Sequence, residues 1–321
     1  MDWNWGILAA SVVIGFVVGL TGMGGGALTT PILVTFFGVH PLAAVSSDLV
    51  SSAITKPFGS YVHMRQGTVH WRIVLWLTIG SVPSAFLGVL LLRVVGGSAA
   101  QIDEFVKYAL GIALLVGAFA LTTRAYVQLV SSTRQKSDAR PETPVDATPQ
   151  PRVALTIALG AAGGLMVGLT SVGAGSLMLI GLMAVYPLLS ANRLVGTDLM
   201  QSIPLVLAAS AGSLLFGSVD WSLTLAVTIG SIPGVIIGAT LSSRVSGRLV
   251  RRALAVMLLA SGLKQLGLSN VLTMEAIVIA FVGGTLVWML ARRSRGLAST
   301  ARGQRRIVER LAAHAAAERH P

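Results

Sequence analysis

Eleven apolar runs fill most of the 321-residue chain, at roughly 5–21, 25–39, 42–63, 71–95, 105–130, 152–170, 174–188, 191–216, 221–243, 249–268 and 271–291. Most approach the ~20 residues a helix needs to cross a bilayer. Backbone in lipid must satisfy its own hydrogen bonds, which leaves helices and closed barrels. These runs are continuously apolar, without the period of two that barrel strands show, so helices are expected. Composition agrees: 11% of residues are charged, against about 25% in soluble domains. The predicted fold is all-α, a polytopic integral membrane protein.

Two of these runs are interrupted by glycine. Val18 to Pro31 reads VGLTGMGGGALTTP, and Val167 to Leu179 reads VGLTSVGAGSLML. Glycine weakens a helix and lets backbone or ligand come close. In a membrane, such breaks persist only where protein or a water-filled cavity satisfies the freed backbone groups. Paired breaks in corresponding halves of one chain point to a transporter's binding site.

The halves correspond well beyond these breaks. Ser47-Asp48-Leu49 matches Thr197-Asp198-Leu199, and Gly67-Thr68-Val69-His70-Trp71 matches Gly217-Ser218-Val219-Asp220-Trp221. Ile79-Gly80-Ser81-Val82-Pro83 matches Ile229-Gly230-Ser231-Ile232-Pro233, and Gly88 matches Gly238. The matches keep one order and an offset near 150 residues, which indicates duplication. Between the copies, SSTRQKSDARPETPVDATPQP is polar and proline-bearing, so a linker is expected. The expected organisation is a first membrane repeat at 1–130, a cytoplasmic linker at 131–151, a second repeat at 152–268, an extra transmembrane helix at 269–291 and a basic cytoplasmic tail at 292–321.

Charge sets the expected orientation. With the N-terminus outside and every run crossing, Arg65, Arg72, the linker, Arg193, the cluster Arg244, Arg248, Arg251 and Arg252, and the arginine-rich tail all fall inside. Asp103, Glu104 and Asp220 fall outside, as the positive-inside rule requires. With Arg65, Arg72 and the linker kept inside, merging each broken pair into one crossing would move the 244–252 cluster outside. Five crossings per half give the halves opposite orientations, an inverted repeat. The opening MDWNWG lacks a basic region and a cleavage site, so no removable signal peptide is expected; Trp3 and Trp5 suit an interfacial anchor.

The pattern GLTGMGGGALTTPIL, then Val45-Ser46-Ser47-Asp48, then GTVHW, resembles the sulfite exporter TauE/SafE family of membrane permeases, over about residues 6–268. The resemblance implies a secondary transporter of small anions in a bacterial-type inner membrane, with sulfite or an organosulfonate as substrate and export as the direction. A carrier or channel for another small solute, such as a carboxylate or cation, and a non-transport membrane scaffold are the alternatives. The expected partners are the anion, protons and the lipid bilayer, with a homodimer left open.

The residues offer a mechanism. A helix N-terminus presents free N–H groups and a partial positive charge. Each second run starts at a glycine break, so Gly24, Gly25 and Gly26 with Thr21, and Gly173, Ala174 and Gly175 with Thr170, Ser171 and Ser176, are the expected substrate-binding groups. Close helix packing by small residues is the competing account. Asp48 and Asp198 occupy equivalent positions, either as helix-terminal carboxylates or as handlers of protons or substrate. Lys56 has Val206 as its counterpart; pairing with a carboxylate, snorkelling and attracting an anion are its three readings. With Ser47, Thr197 and Gln201, these groups form the expected polar lining, because SSDLVSSAITKPFGSY is too polar to face lipid.

Other chemistry finds no support. There is no cysteine. The histidines His40, His63, His70, His314 and His320 sit at run ends, in loops or in the tail, without metal-binding spacing, so no metal or cofactor is expected. No phosphate loop or nucleophile elbow is present, and no enzyme is expected. The chain carries a formal net charge of +12, much of it in the C-terminal arginines, which fit an anchor near anionic lipid better than nucleic-acid binding.

Overall fold

The computed structural model describes residues 5–21, 25–65, 67–94, 98–137, 150–173, 175, 177–187, 189, 191–241, 247–269, 271–279 and 283. The described residues are helical throughout, joined by short turns. The helices are α1 (Trp5–Thr21), α2 (Gly26–Phe36), α3 (Pro41–Arg65), α4 (Trp71–Val94), α5 (Ala99–Ser137), α6 (Val153–Thr170), α7 (Leu177–Val185), α8 (Ala191–Phe216), α9 (Trp221–Leu241) and α10 (Gly247–Gln265). Residues to Leu268 form one compact unit; those from Ser269 form another, in which 271–279 are helical.

Among the described residues, five helices carry stretches long and apolar enough to cross a membrane: Trp71–Val94, Ala100–Thr123, Val153–Thr170, Arg193–Phe216 and Trp221–Gly238. Their burial pattern is that of a protein in lipid. Leu75, Ile79, Leu87 and Leu91 of α4 are exposed, as are Leu207, Leu214 and Leu215 of α8. Polar side chains point inward: Ser46, Ser47, Asp48, Ser51 and Ser52 of α3, and Thr197, Asp198, Gln201 and Ser202 of α8, are all buried. Such groups are costly in hydrocarbon and gather in the protein interior.

The expected runs become helices with two informative differences. Helices α2 and α7 have only 11 and 9 residues, about 16 and 14 Å at 1.5 Å per residue. Each is too short to cross the bilayer core as a helix on its own, and each starts just after its glycine break. Helix α5 runs on to Ser137, into the stretch expected to be linker. No glycine or proline follows Gly117 until Pro141, so nothing in that sequence stops the helix earlier. The rest of the linker, from 138 to 149, lies outside the described residues, as does the arginine-rich tail.

The halves pack by exchanging partners. Helix α1 lies along α9, and its counterpart α6 lies along α4. Both contacts are built on glycine. A Cβ on Gly15 would collide with the Ser231 carbonyl, and one on Gly164 with that of Ser81. Likewise, Gly88 abuts the Leu165 carbonyl and Gly238 that of Phe16. Without the usual hydrophobic drive between helices in lipid, this close approach supplies the packing. The turns cross over too. Ser47 Oγ accepts the Asp220 backbone N–H at 3.0 Å, and Thr197 Oγ1 accepts that of His70 at 3.0 Å. Each half thus holds the turn before the other half's fourth helix. Thr197→Val and Ser47→Ala are each expected to cost about 0.6–1 kcal/mol, seen as a lower Tm in detergent; an unchanged Tm in both would show that the clasps bear no load.

Candidate functional site at the two helix breaks

The second break is described at Ser171, Val172, Gly173 and Gly175. Helix α6 ends at Thr170, and Ser171 takes the left-handed region at φ 58° while its N–H closes the helix on Val167 O at 2.7 Å. Gly173 and Gly175 follow at φ 129° and 101°, conformations that only glycine adopts cheaply. The Thr170 hydroxyl donates to Met166 O at 2.7 Å and accepts the Val172 N–H at 3.1 Å, so it braces the turn. In the first break, Gly25 precedes α2 and its carbonyl accepts the N–H groups of Leu28 and Thr29. Gly22, Gly24, Ala174 and Ser176 lie outside the described residues, and of Thr21 only its place as the last residue of α1 is described.

The two breaks touch. A Cβ on Gly26 would overlap Ser171 O and crowd Ser171 Oγ, so Gly26 brings the start of α2 directly against the second break. Asp48 of α3 enters at this junction. Ser171 Oγ donates to Asp48 Oδ2 at 2.5 Å, and Thr30 Oγ1 of α2 donates to the same oxygen at 3.2 Å. Asp48 is 2% exposed. One carboxylate is thus tied to both halves of the chain.

Asp48 and Asp198 each stand eighth in their helices, too far in to cap them. The reading of either as a cap for its own helix is therefore set aside. Lys56, two turns beyond Asp48 on α3, is within electrostatic reach of both Asp198 and Asp48. Beside Asp198, Gln201 Nε2 donates to Ser81 Oγ of α4 at 2.6 Å, and Ser60 Oγ donates to Leu199 O, joining α3 to α8. The interior therefore holds two carboxylates and one ammonium among hydroxyls and an amide. No group of metal-ligating side chains occurs among the described residues.

Of the expected lining, Asp48, Asp198, Lys56 and Gln201 come together on the facing helices α3 and α8. Ser47 and Thr197 lie one position before the acids and turn to the clasps instead. Thr30 was not expected. Its signal was present in the TTP that follows the first break, a hydroxyl pair with no counterpart in the second copy's LML.

The family profile described as "Sulfite exporter TauE/SafE" matches residues 7–265, which include both breaks and both acids. The chain is similar to the "Probable membrane transporter protein YjnA" of Bacillus subtilis, at 39% identity over 258 residues, covering 80% of this chain and 98% of that one. It is also similar to the "Probable membrane transporter protein YdhB" of the same organism, at 25% identity over 73% of this chain and 88% of that one. A "Probable membrane transporter protein" of Xylella fastidiosa is 23% identical over 77% of this chain and 89% of that one. No solved structure matches. With the profile spanning all ten helices and YjnA aligned over nearly its full length, the chain is a multi-pass membrane transporter that belongs to the sulfite exporter TauE/SafE family.

Proposed function

We propose that the protein exports a small oxyanion, sulfite or an organosulfonate, by alternating access, with the anion held between the two helix breaks. The observation that carries this reading is the junction itself: Gly26 against Ser171, with Asp48 bonded across it. Two half-helix starts, α2 and α7, follow the breaks, and helix N-termini favour anions. With all three groups ionised, Asp48, Asp198 and Lys56 sum to a single negative charge. One added proton neutralises the cluster, removes the repulsion that an entering anion would meet, and supplies a donor. Coupling of anion movement to protons follows.

The test is flux in proteoliposomes. Sulfite, methanesulfonate, acetate and a monovalent cation are offered in turn, with and without a pH gradient. Flux of the sulfur anions that responds to the gradient supports the reading. Flux confined to acetate or to the cation would replace it with one of the alternatives.

The proposed orientation places the N-terminus outside and the 65–72, 134–152, 244–252 and 292–319 regions in the cytoplasm of a bacterial-type inner membrane. The cysteine-free sequence makes single-cysteine labelling clean. Arg248→Cys is expected to resist an impermeant thiol reagent in intact cells and to react once the membrane is opened. Reaction in intact cells would exclude the inverted arrangement.

A further inference from the structure

The two turns that cross between the halves are equivalent in backbone and opposite in charge. In the second copy, Asp220 stands just before α9 and its Oδ1 accepts the Leu223 N–H at 3.1 Å, a normal helix cap. In the first copy, the same place before α4 holds His70. The Ile73 N–H there closes on the His70 carbonyl instead. Both His70 ring nitrogens are shielded from solvent and have no hydrogen-bond partner in another residue among the described residues. A capping carboxylate has been replaced by an imidazole.

Two arginines accompany that change. Arg72 has Ser222 as its counterpart, and Arg193, in the first turn of α8, has Ala43. His70, Arg72 and Arg193 line a cavity of about 250 Å³ with Trp71, Gly67 and Val69. That volume holds roughly eight waters, or one small oxyanion with some of its hydration. Burial lowers the His70 pKa, and the charges of Arg193 and Arg72 lower it further. The cavity therefore concentrates positive potential, which a bound anion would relieve.

We propose that this cavity captures the transported oxyanion at one mouth of the protein before it reaches the helix breaks, and that the equivalent turn at 217–220 provides no such site. The mouth that gathers anions then sets the side from which they are taken up efficiently. This rests on the reading of the protein as an anion transporter. A lipid headgroup phosphate carries the same chemistry and is the other source of an anion here.

The experiment uses Val69→Cys as the single thiol in the full-length protein. The probes are sulfonatoethyl methanethiosulfonate, which is anionic, and its cationic trimethylammonium analogue. The anionic reagent is expected to react about tenfold faster relative to the cationic one than in the background of Arg72→Gln with Arg193→Gln; Arg72→Lys with Arg193→Lys should keep the preference. The same ratio at Val219→Cys should show no anionic preference. Equal ratios at position 69 in all backgrounds would overturn the proposal. So would loss of the preference only in vesicles containing phosphatidylglycerol, because a headgroup would then occupy the cavity. In membrane vesicles oriented with position 69 outward, the glutamine pair should raise the half-saturating sulfite concentration several-fold, with little change when position 69 faces inward. An unchanged half-saturation would also overturn it. If the native protein carries no sulfite at all, the transport reading fails, while the reagent ratio still decides whether the cavity gathers anions.

Discussion

Asp48→Asn is expected to flatten the pH response of anion flux while leaving the protein folded. The asparagine keeps an oxygen where Ser171 Oγ and Thr30 Oγ1 donate, so the tie across the breaks survives. It removes the group whose protonation would admit the anion. In the native protein, each pH unit above the carboxyl's own pKa lowers its protonated fraction about tenfold. Flux limited by that fraction should fall accordingly as pH rises through that range. The variant should lose most of that slope and behave as the protonated form does, with flux at high pH no lower than at low pH. Asp198→Asn should flatten the response too, because it likewise leaves one carboxylate against Lys56. Flux in proteoliposomes across a series of pH values reads this directly. If both variants keep the full native pH response, the carboxylates only hold the breaks together and coupling must lie elsewhere.

The glycines separate into those that hold the breaks together and one that leaves room. At Gly26 a side chain has nowhere to go, because Ser171 backbone occupies its place. Gly26→Val should cost several kcal/mol, at or above the ~1–3 kcal/mol of ordinary overpacking, since the obstacle is backbone. Gly173 and Gly175 carry positive φ, so valine at either position strains the chain by about 1–2 kcal/mol or more. These three variants should show poor yield or a lowered Tm. Gly25 differs. Its φ is −59°, and among the described residues a Cβ there meets only Thr29 Oγ1, at 3.4 Å. Gly25→Val should therefore fold, yet stop transport by filling the space beside the start of α2. Size-exclusion profiles and flux measured together distinguish the cases. Normal flux in a folded Gly25→Val protein would leave packing as the only role of that glycine.

These contrasts mark how far the sequence could be read. Long apolar runs and the repeated motifs sufficed for the helical class and for pairing Asp48 with Asp198 as equivalents. The shortness of α2 and α7 was already visible in the runs 25–39 and 174–188, which fall short of the ~20 residues of a full span; Phe37–Gly38 and Tyr186–Pro187 end the helices a little earlier still. The bond from Ser171 to Asp48 joins residues 123 positions apart; only the packing of one half on the other creates it. Ser47 and Thr197 had the right composition for a polar lining, but each sits beside an incoming backbone N–H, and a hydroxyl so used is spent. His70 looked like an ordinary loop histidine. Only the comparison with Asp220 in the equivalent, capped position shows that it is unusual.

The account's central claim is that the transported anion lies between the two breaks. Gly25→Cys tests it most directly, because this glycine has room for a side chain and the protein has no other thiol. A small membrane-impermeant thiol reagent should reach the position in reconstituted protein, and the anion that the flux panel ranks first should slow the reaction at concentrations near its half-saturation for transport. A cation of similar size should leave the rate unchanged. Reaction at the same rate with and without saturating anion would contradict a substrate site at the junction of the breaks.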